Sequence, residues 1–330
     1  NAILTNKLNN RSGCQNCGMC LYGCSIDSIY TANYDLRELI KYSNFKYIPG
    51  KILKKIVPSE GKNIANIYDV NQQTIEKIEF KNIILACGPL ASTKIVLESL
   101  NLYNNKINFL SNPRTFFALF FPKYLGSTFT SDSYNFGQIA YTYKSNSNYF
   151  LDSKRNVDAF GVFYNIQGIP LNEFVREKSF LSRITSRRIL KYIMPSIRVA
   201  NCYMPGEFTD HRIMLDANSS LHIEGSFKKE YKLLIKELKK SVSLSFRKFG
   251  GFLLPGSFKE SVPGSDIHYS GTLKHSNANE IYQTNLYGEL NGIKNLFIVD
   301  ASVLPVLPTK PYTLTIMANA DRIGKYISKK

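Results

Sequence analysis

The sequence predicts an α/β protein (α+β by some schemes), with α/β segments at both ends and a β-rich middle. Three observations predict this. The continuous apolar run Asn82-Ile83-Ile84-Leu85-Ala86 ends at Gly88, and apolar positions at helical spacing follow from Ser92 to Leu100. That strand–glycine–helix order suits one crossover of a parallel sheet. The same order returns near the end, with an apolar strand Asn295–Val299 and then a helix starting near Pro311. Between them, from about 103 to 225, the signals are mostly strand-like and rich in aromatic residues. An α/β–β–α/β order of this kind suggests one discontinuous domain with another inserted into it.

Each element has its own signal. Residues 1–25 read as irregular and cysteine-rich, and Ile29, Leu36, Leu39 and Ile40 predict a helix from about Ser28 to Tyr42. Tyr47–Val57, Asn63–Val70 and Lys77–Phe80 read as short strands separated by turns. The densest apolar run, Thr115 to Phe121, fits a buried strand. Arg183, Arg187, Arg188 and Lys191 alternate with Leu181, Ile184 and Leu190, which makes 176–191 an amphipathic helix with a solvated basic face. A long helix over Phe227–Phe249 carries Phe227, Tyr231, Leu234, Leu238 and Val242 on one stripe, and Gly250-Gly251 stops it.

Composition narrows the class. The chain has 330 residues, 44% of them hydrophobic and 20% charged, enough for a buried core. No run approaches the ~20 apolar residues that span a bilayer, and no basic segment with an apolar stretch behind it marks a secretory signal. A cytoplasmic protein without a transmembrane segment is expected. Its start at Asn1 rather than Met suggests a fragment or a processed chain. The net charge of +17 is spread along the chain rather than concentrated on one motif, so no nucleic-acid partner is expected.

Four of the six cysteines crowd together as Cys14-x2-Cys17-x2-Cys20-x3-Cys24. This is the spacing of a bacterial ferredoxin half-site, whose thiolates wrap an iron–sulfur cluster. Ser25 stands where a proline usually follows, and there is no second set of cysteines. The alternative is a tight loop of reduced or disulfide-paired thiols, and the spacing leaves both readings open. Cys87 and Cys202 read as inert buried thiols.

Three segments carry a family likeness. They are His268-Tyr269-Ser270-Gly271-Thr272, the strand Asn295 to Val299 continued by Asp300-Ala301-Ser302-Val303-Leu304-Pro305, and Thr313-Leu314-Thr315-Ile316-Met317-Ala318-Asn319-Ala320-Asp321-Arg322-Ile323. In that order and spacing the sequence resembles the C-terminal signature of the GMC (glucose–methanol–choline) FAD-dependent oxidoreductases. Upstream, Ile83 to Leu90 followed by Lys94 to Leu97 is similar to that family's second flavin-domain strand and helix. Leu21-Tyr22-Gly23-Cys24 resembles a cysteine-rich bacterial branch that includes members encoded in polysaccharide gene clusters. The likeness covers both ends of the chain and is weak from 103 to 260.

The resemblance implies an incomplete FAD-binding Rossmann-like domain formed by 1–102 and 261–330. A substrate domain, an antiparallel sheet with helices, is inserted over 103–260. It implies hydride transfer from a CH–OH group of an alcohol or sugar to FAD, with the electron acceptor unspecified. His268 would be the base, since imidazole titrates near neutral pH. Gly88, Asp300 and Ala301 would lie along the FAD. Pro311, Tyr312 and Thr313 would begin the last helix, whose partly positive N-terminus suits the anionic edge of a reduced flavin. Where relatives carry an Asn or a second His, this chain has Pro311 preceded by Lys310, so His268 is left without its usual partner. The family's opening G-x-G-x-x-G phosphate turn has no counterpart here. Weak or absent FAD binding by the isolated chain is therefore expected. The alternative is a truncated, cofactor-free family member acting as a sugar- or protein-binding module.

Overall fold

A computed structural model describes residues 4, 6–8, 11–59, 61–128, 137, 139–146, 157–164, 183–278 and 280–330. The first helix, α1 (Asn33–Leu39), is shorter than the predicted 28–42. None of its residues is buried, so little packing extends it beyond two turns. An antiparallel meander follows: β1 (Lys51–Ser59), β2 (Lys62–Asp69) and β3 (Thr74–Phe80), paired in the order β1-β2-β3.

The predicted strand–glycine–helix unit is present, although the strand after it, Ile107–Ser111, joins a different sheet. β4 (Ile83–Leu85) leads through Gly88 into α2 (Pro89–Ser99), which begins three residues earlier than the apolar spacing suggested. Pro89 occupies the first helical position, where a missing N–H costs nothing. Gly88 sits at φ 87° and ψ 156°, a conformation open essentially only to glycine.

The β-rich middle forms two antiparallel sheets. Its strands are β5 (Ile107–Ser111), β6 (Arg114–Phe120), β7 (Ala140–Tyr143), β8 (Ala159–Tyr164), β9 (Ile197–Tyr203), β10 (Thr209–Leu215), β11 (Leu221–Phe227), β12 (Phe252–Leu253) and β13 (Lys259–Glu260). The larger sheet runs β12-β6-β9-β8-β7, with β13 also pairing β6. Helix α3 (Arg183–Ile193) precedes β9, while 176–182 of the predicted basic helix lie outside the described residues. Helix α4 (Lys229–Arg247) buries Tyr231, Leu234, Ile235, Leu238 and Val242, the expected stripe apart from Phe227, which ends β11. Gly250, at φ 75°, lets Gly251 N–H bond back to the Phe246 carbonyl and closes the helix.

Strand β6 shows why the aromatic run is not buried on both sides. Phe117 and Leu119 pack with Ala200, Cys202 and the α4 stripe. Phe116, on the other face, is 37% exposed. A strand with one covered face alternates in this way. On the covered face Gly161 lies beneath Tyr141, whose ring atoms would sit within 2.1 Å of an added Cβ, so only glycine fits there.

The chain then returns to its first part. β14 (Tyr269–Ser270) joins the smaller sheet, ordered β11-β10-β5-β14. β15 (Leu296–Ile298) pairs in parallel with β4, placing Leu296 opposite Ile83 and Ile298 opposite Leu85. A core of Ile56, Leu85, Ile95, Val96, Leu273, Leu290, Leu296 and Ile298 joins these distant segments. A third core links Leu97 of α2 to Ile107, Phe109, Ile213 and Leu215, so the smaller sheet packs on that helix. The terminal helix is α5 (Thr313–Ile327).

Candidate active site

His268 stands one residue before β14. Its ring centroid lies 5.0 Å from that of Tyr203 on β9 and 5.4 Å from that of Tyr312. Burial, with the Arg114 guanidinium second, holds its imidazole below the usual histidine range. A neutral imidazole at neutral pH can accept a proton. The structure thus puts His268 between the larger sheet and the start of α5.

That start differs from the expectation in one respect. Pro311 is not in the first turn: Tyr312 is the N-cap residue and Thr313 the first helical residue. Pro311 restricts the residues around it, and Tyr312 carries the half-in geometry of φ −110° and ψ 7°. No side chain caps the end, and the first backbone bond runs from Ile316 N–H to the Tyr312 carbonyl at 3.0 Å. The N–H groups of Thr313, Leu314 and Thr315 precede that bond and have no intrahelical acceptor. Leu314 beside them is 78% exposed. The Tyr312 hydroxyl reaches the Tyr269 carbonyl at 3.4 Å, tying the helix start to the histidine segment.

Asp300 lies two residues beyond β15, at the strand end where open parallel sheets bind ligands. Its carboxylate is spent internally. Oδ2 accepts from Gly88 N–H at 3.0 Å and from the Ser92 hydroxyl, while Oδ1 accepts from Ser302 N–H at 2.9 Å and the Ser302 hydroxyl at 2.6 Å. Asp300 therefore clamps the β4–α2 turn to the end of β15, and Gly88 and buried Ala301 are its immediate neighbours. A second link, Thr93 Oγ1 to Thr272 Oγ1 at 2.7 Å, fastens α2 to the histidine segment. Gly88, Asp300, Ala301, His268 and Tyr312 are thereby joined through these bonds and the ring contact at His268. Lys310 is exposed before the helix.

Sequence reasoning missed Arg114, whose charge acts on His268, and the buried network behind it. Arg114 is paired with Tyr203 across β6 and β9, and its guanidinium lies 4.4 Å from the Phe116 ring centroid. Asp266 is buried and comes within 4.0 Å of Arg114 Nε. Burial is the main cause that pushes the Asp266 carboxyl up to about 6, against the lowering influence of Arg114 and Ser111. Ser226 N–H donates to His211 Nδ1 at 3.2 Å, so the His211 proton is on Nε2 and faces Ser111 Oγ at 2.9 Å. The Ser111 hydroxyl donates onward to Asp266 at 3.4 Å. These groups come from five different strands and one loop, and no sequence spacing could have joined them.

The other histidines are accounted for locally. His275 bonds Thr284 and Asn319, and His222 pairs with Asp216. Cys202 is buried as expected, its thiol pushed up to about 12 by burial. Cys87 is exposed, contrary to the buried reading, because it lies in the turn after β4 rather than in the strand.

Cys14, Cys17, Cys20 and Cys24 do come together, lining an open pocket with about 320 Å³ of empty space. None is in a disulfide. Cys24 Sγ lies 3.0 Å from Ser28 Oγ and accepts from Ser28 N–H at 3.3 Å, while Cys14 bonds Asn16. Among the described residues, no group of three or more His, Cys, Asp or Glu side chains is placed to hold a metal ion. The four cysteines are thus gathered at one pocket without the geometry of an iron–sulfur ligand set. No described helix is long and apolar enough to cross a membrane.

Residues 257–320 match the family model for GMC oxidoreductases, described as their C-terminal domain. Among solved structures, the fold is similar to that of pyridoxine 4-oxidase from Mesorbium loti, with a TM-score of 0.63 and 13% sequence identity. That alignment covers 92% of this chain and 63% of the neighbour, so the chain spans less than two thirds of that protein's length. No curated protein sequence matches significantly. Residues 257–320 thus resemble the C-terminal domain of the GMC oxidoreductases, while for the rest of the chain the likeness is one of fold.

Proposed function

We propose that the chain is the flavin- and substrate-facing part of an FAD-dependent oxidoreductase acting on CH–OH groups of an alcohol or sugar. The observation that carries this reading is the placement of a neutral, half-buried His268 against Tyr312, the residue that opens an uncapped helix. The matched family segment contains both residues, and the structural neighbour is by name an oxidase of the hydroxyl-bearing compound pyridoxine.

FAD, when bound, would supply the hydride acceptor. The chain's residues fit it at two points. The free N–H groups at the start of α5 suit the electron-rich edge of an isoalloxazine. The α2 start, held by Asp300 and Gly88, offers further N–H groups at the carboxyl ends of β4 and β15. Asp300 itself acts as the clamp of that turn rather than as a free ligand group.

His268 takes the hydroxyl proton at an imidazole nitrogen as the neighbouring C–H bond breaks. Its depressed affinity for protons keeps it available as a base down to pH values below 6.5. Tyr203 and Tyr312 restrict the ring on two sides. In FAD-loaded enzyme followed by stopped-flow absorbance, His268→Ala should slow flavin reduction by about 10²–10⁴-fold, the usual contribution of a positioned base. An unchanged rate removes His268 from the reaction.

A second reading is a cofactor-free family member that binds a sugar or a protein partner. The inward-turned Asp300 favours it. Titration with FAD separates the two: saturable binding with a perturbed flavin spectrum supports the oxidoreductase, and its absence supports the binding module. Under either reading, 103–260 is the substrate or partner domain and 1–102 with 261–330 its support.

A further inference from the structure

We propose that the face of the larger sheet turned away from α4, centred on Arg114, Tyr164 and Tyr203, selects a hydroxylic substrate that also carries a carboxylate. The inference rests on the oxidoreductase reading for the role of His268, but the binding it predicts can be tested without flavin.

The sheet has two chemically different faces. One packs Phe117, Leu119, Ala200 and Cys202 against α4. Strand register assigns the other. Arg114 lies opposite Tyr203, Phe116 opposite Asn201, Val162 opposite Asn201, and Phe160 opposite Tyr203. Residues directly opposite each other share a face, and alternate residues along a strand share one too. Arg114, Phe116, Asn201, Tyr203, Val162 and Tyr164 therefore look the same way, towards the side where His268 meets Tyr203.

The polar groups on that face are biased towards donation. Asn201 Nδ2 donates to the Tyr164 hydroxyl at 2.9 Å and to the Tyr203 hydroxyl at 3.2 Å. Each phenol oxygen has one of its acceptor positions filled, and its own O–H remains to donate elsewhere. Arg114 adds a fixed positive charge. Its Nε is buried without a hydrogen-bond partner, and no bond of its terminal nitrogens is found among the described residues. The side chain is 19% exposed, so its outer edge reaches open space while Phe116 covers one flat side. Asp266 lies behind it on the Nε side, with its side chain only 1% exposed. There the carboxylate orients the fork without offering a surface of its own.

Two phenolic O–H groups and one guanidinium edge make a set richer in donors than in acceptors, the acceptors beside them being the remaining lone pairs of the phenol oxygens and the buried Asn201 Oδ1. A neutral sugar hydroxyl needs both to give and to accept, and it would leave this set half used. A carboxylate presents two acceptor oxygens and a single negative charge, matching the planar fork of an arginine. One cation is also a closer match to a monoanion than to a phosphate dianion. With the carboxylate held here, a hydroxyl elsewhere on the same molecule can approach His268.

The test is calorimetric and uses the chain as it is. Glucuronate, glucuronamide, glucose and inorganic phosphate are titrated separately. Glucuronate should bind at least about tenfold more tightly than glucuronamide or glucose, the size of one charge-assisted contact of about 1.4 kcal/mol. Phosphate should compete weakly. Arg114→Gln should bring glucuronate to within about twofold of glucuronamide, and Tyr203→Phe should cost several-fold while circular dichroism stays unchanged. The comparison among ligands needs no variant, so it stands even if Arg114→Gln does not fold. Equal binding of glucuronate and glucuronamide, no saturable glucuronate binding, or phosphate binding more tightly than glucuronate would each overturn the proposal. The two readings also fail separately. A holoenzyme reducing its flavin equally with neutral and acidic sugars ends the carboxylate proposal and leaves the reaction class standing. Selective glucuronate binding without any flavin reduction does the reverse.

Discussion

At the residue scale, the group with the largest energetic leverage around His268 is Asp266. Its buried carboxyl has a proton affinity raised from 3.8 to about 6, with burial the leading cause. In the unfolded chain the same group loses its proton near its ordinary value, so between about pH 4 and 6 the native state holds more protons than the unfolded one. Stability from this group is therefore lost as pH rises through that window. Asp266→Asn removes the titration. Relative to wild type, the variant should gain up to about 3 kcal/mol between pH 4 and pH 7, since each pK unit is worth about 1.4 kcal/mol. Urea melts at both pH values measure this directly, and a difference independent of pH would show that the carboxyl is not destabilised by burial. Arg114, Asp266 and His268 form a site only because β6 and the loop before β14 meet. Of the three, His268 alone was legible beforehand, through the H-x-x-G-T context, while Arg114 looked like one more basic residue in a basic chain.

Elements were more readable than contacts, and α4 shows why. Its apolar stripe recurs at helical spacing, which the sequence displays without help from any partner, and four of its five buried residues are those expected from it, Ile235 being the addition. Leu234 is fully buried there, while its neighbour Leu233 is 43% exposed. Leu234→Ala should cost about 2–5 kcal/mol through lost burial and the cavity left behind. Leu233→Ala should stay within about 0.5 kcal/mol, as surface changes usually do. Denaturant midpoints for the two variants would settle the matter, and equal losses would mean the helix packs on another face. Shorter elements were less well placed. The ends of α1 and the start of α5 moved by two to five residues from expectation, because nothing buried supports α1 and Pro311 sets the α5 boundary from outside the helix.

For the whole molecule, the decisive feature is that the chain leaves its first α/β segment and returns about two hundred residues later. β15 pairs with β4, and Leu296 shares a core with Leu85, Ile95 and Val96. A cavity at Leu296 should thus be felt in distant sequence. Leu296→Ala should speed amide hydrogen exchange across 83–99, with little change in α4, whose side chains belong to a different core. Exchange that rose only around 290–300, or equally in α4, would contradict this division of the core.

Local chemistry was enough to mark the strand–Gly88–helix turn, the stripe and glycine stop of α4, the histidine segment and the returning strand, because each rests on periodicity or on a residue whose backbone is constrained. The sequence alone thereby determined the fold class and pointed to one member of the proposed site. Tertiary structure decided the rest. It turned Asp300 into an internal clamp, exposed Cys87, drew the four clustered cysteines into one pocket without forming a ligand set, and assigned Arg114, Tyr164, Asn201 and Tyr203 to one face of the larger sheet. Those outcomes depend on which strands pair and in what register. A one-residue slip sends every side chain of a strand to the opposite face, and the residues that set the register lie far apart in the chain.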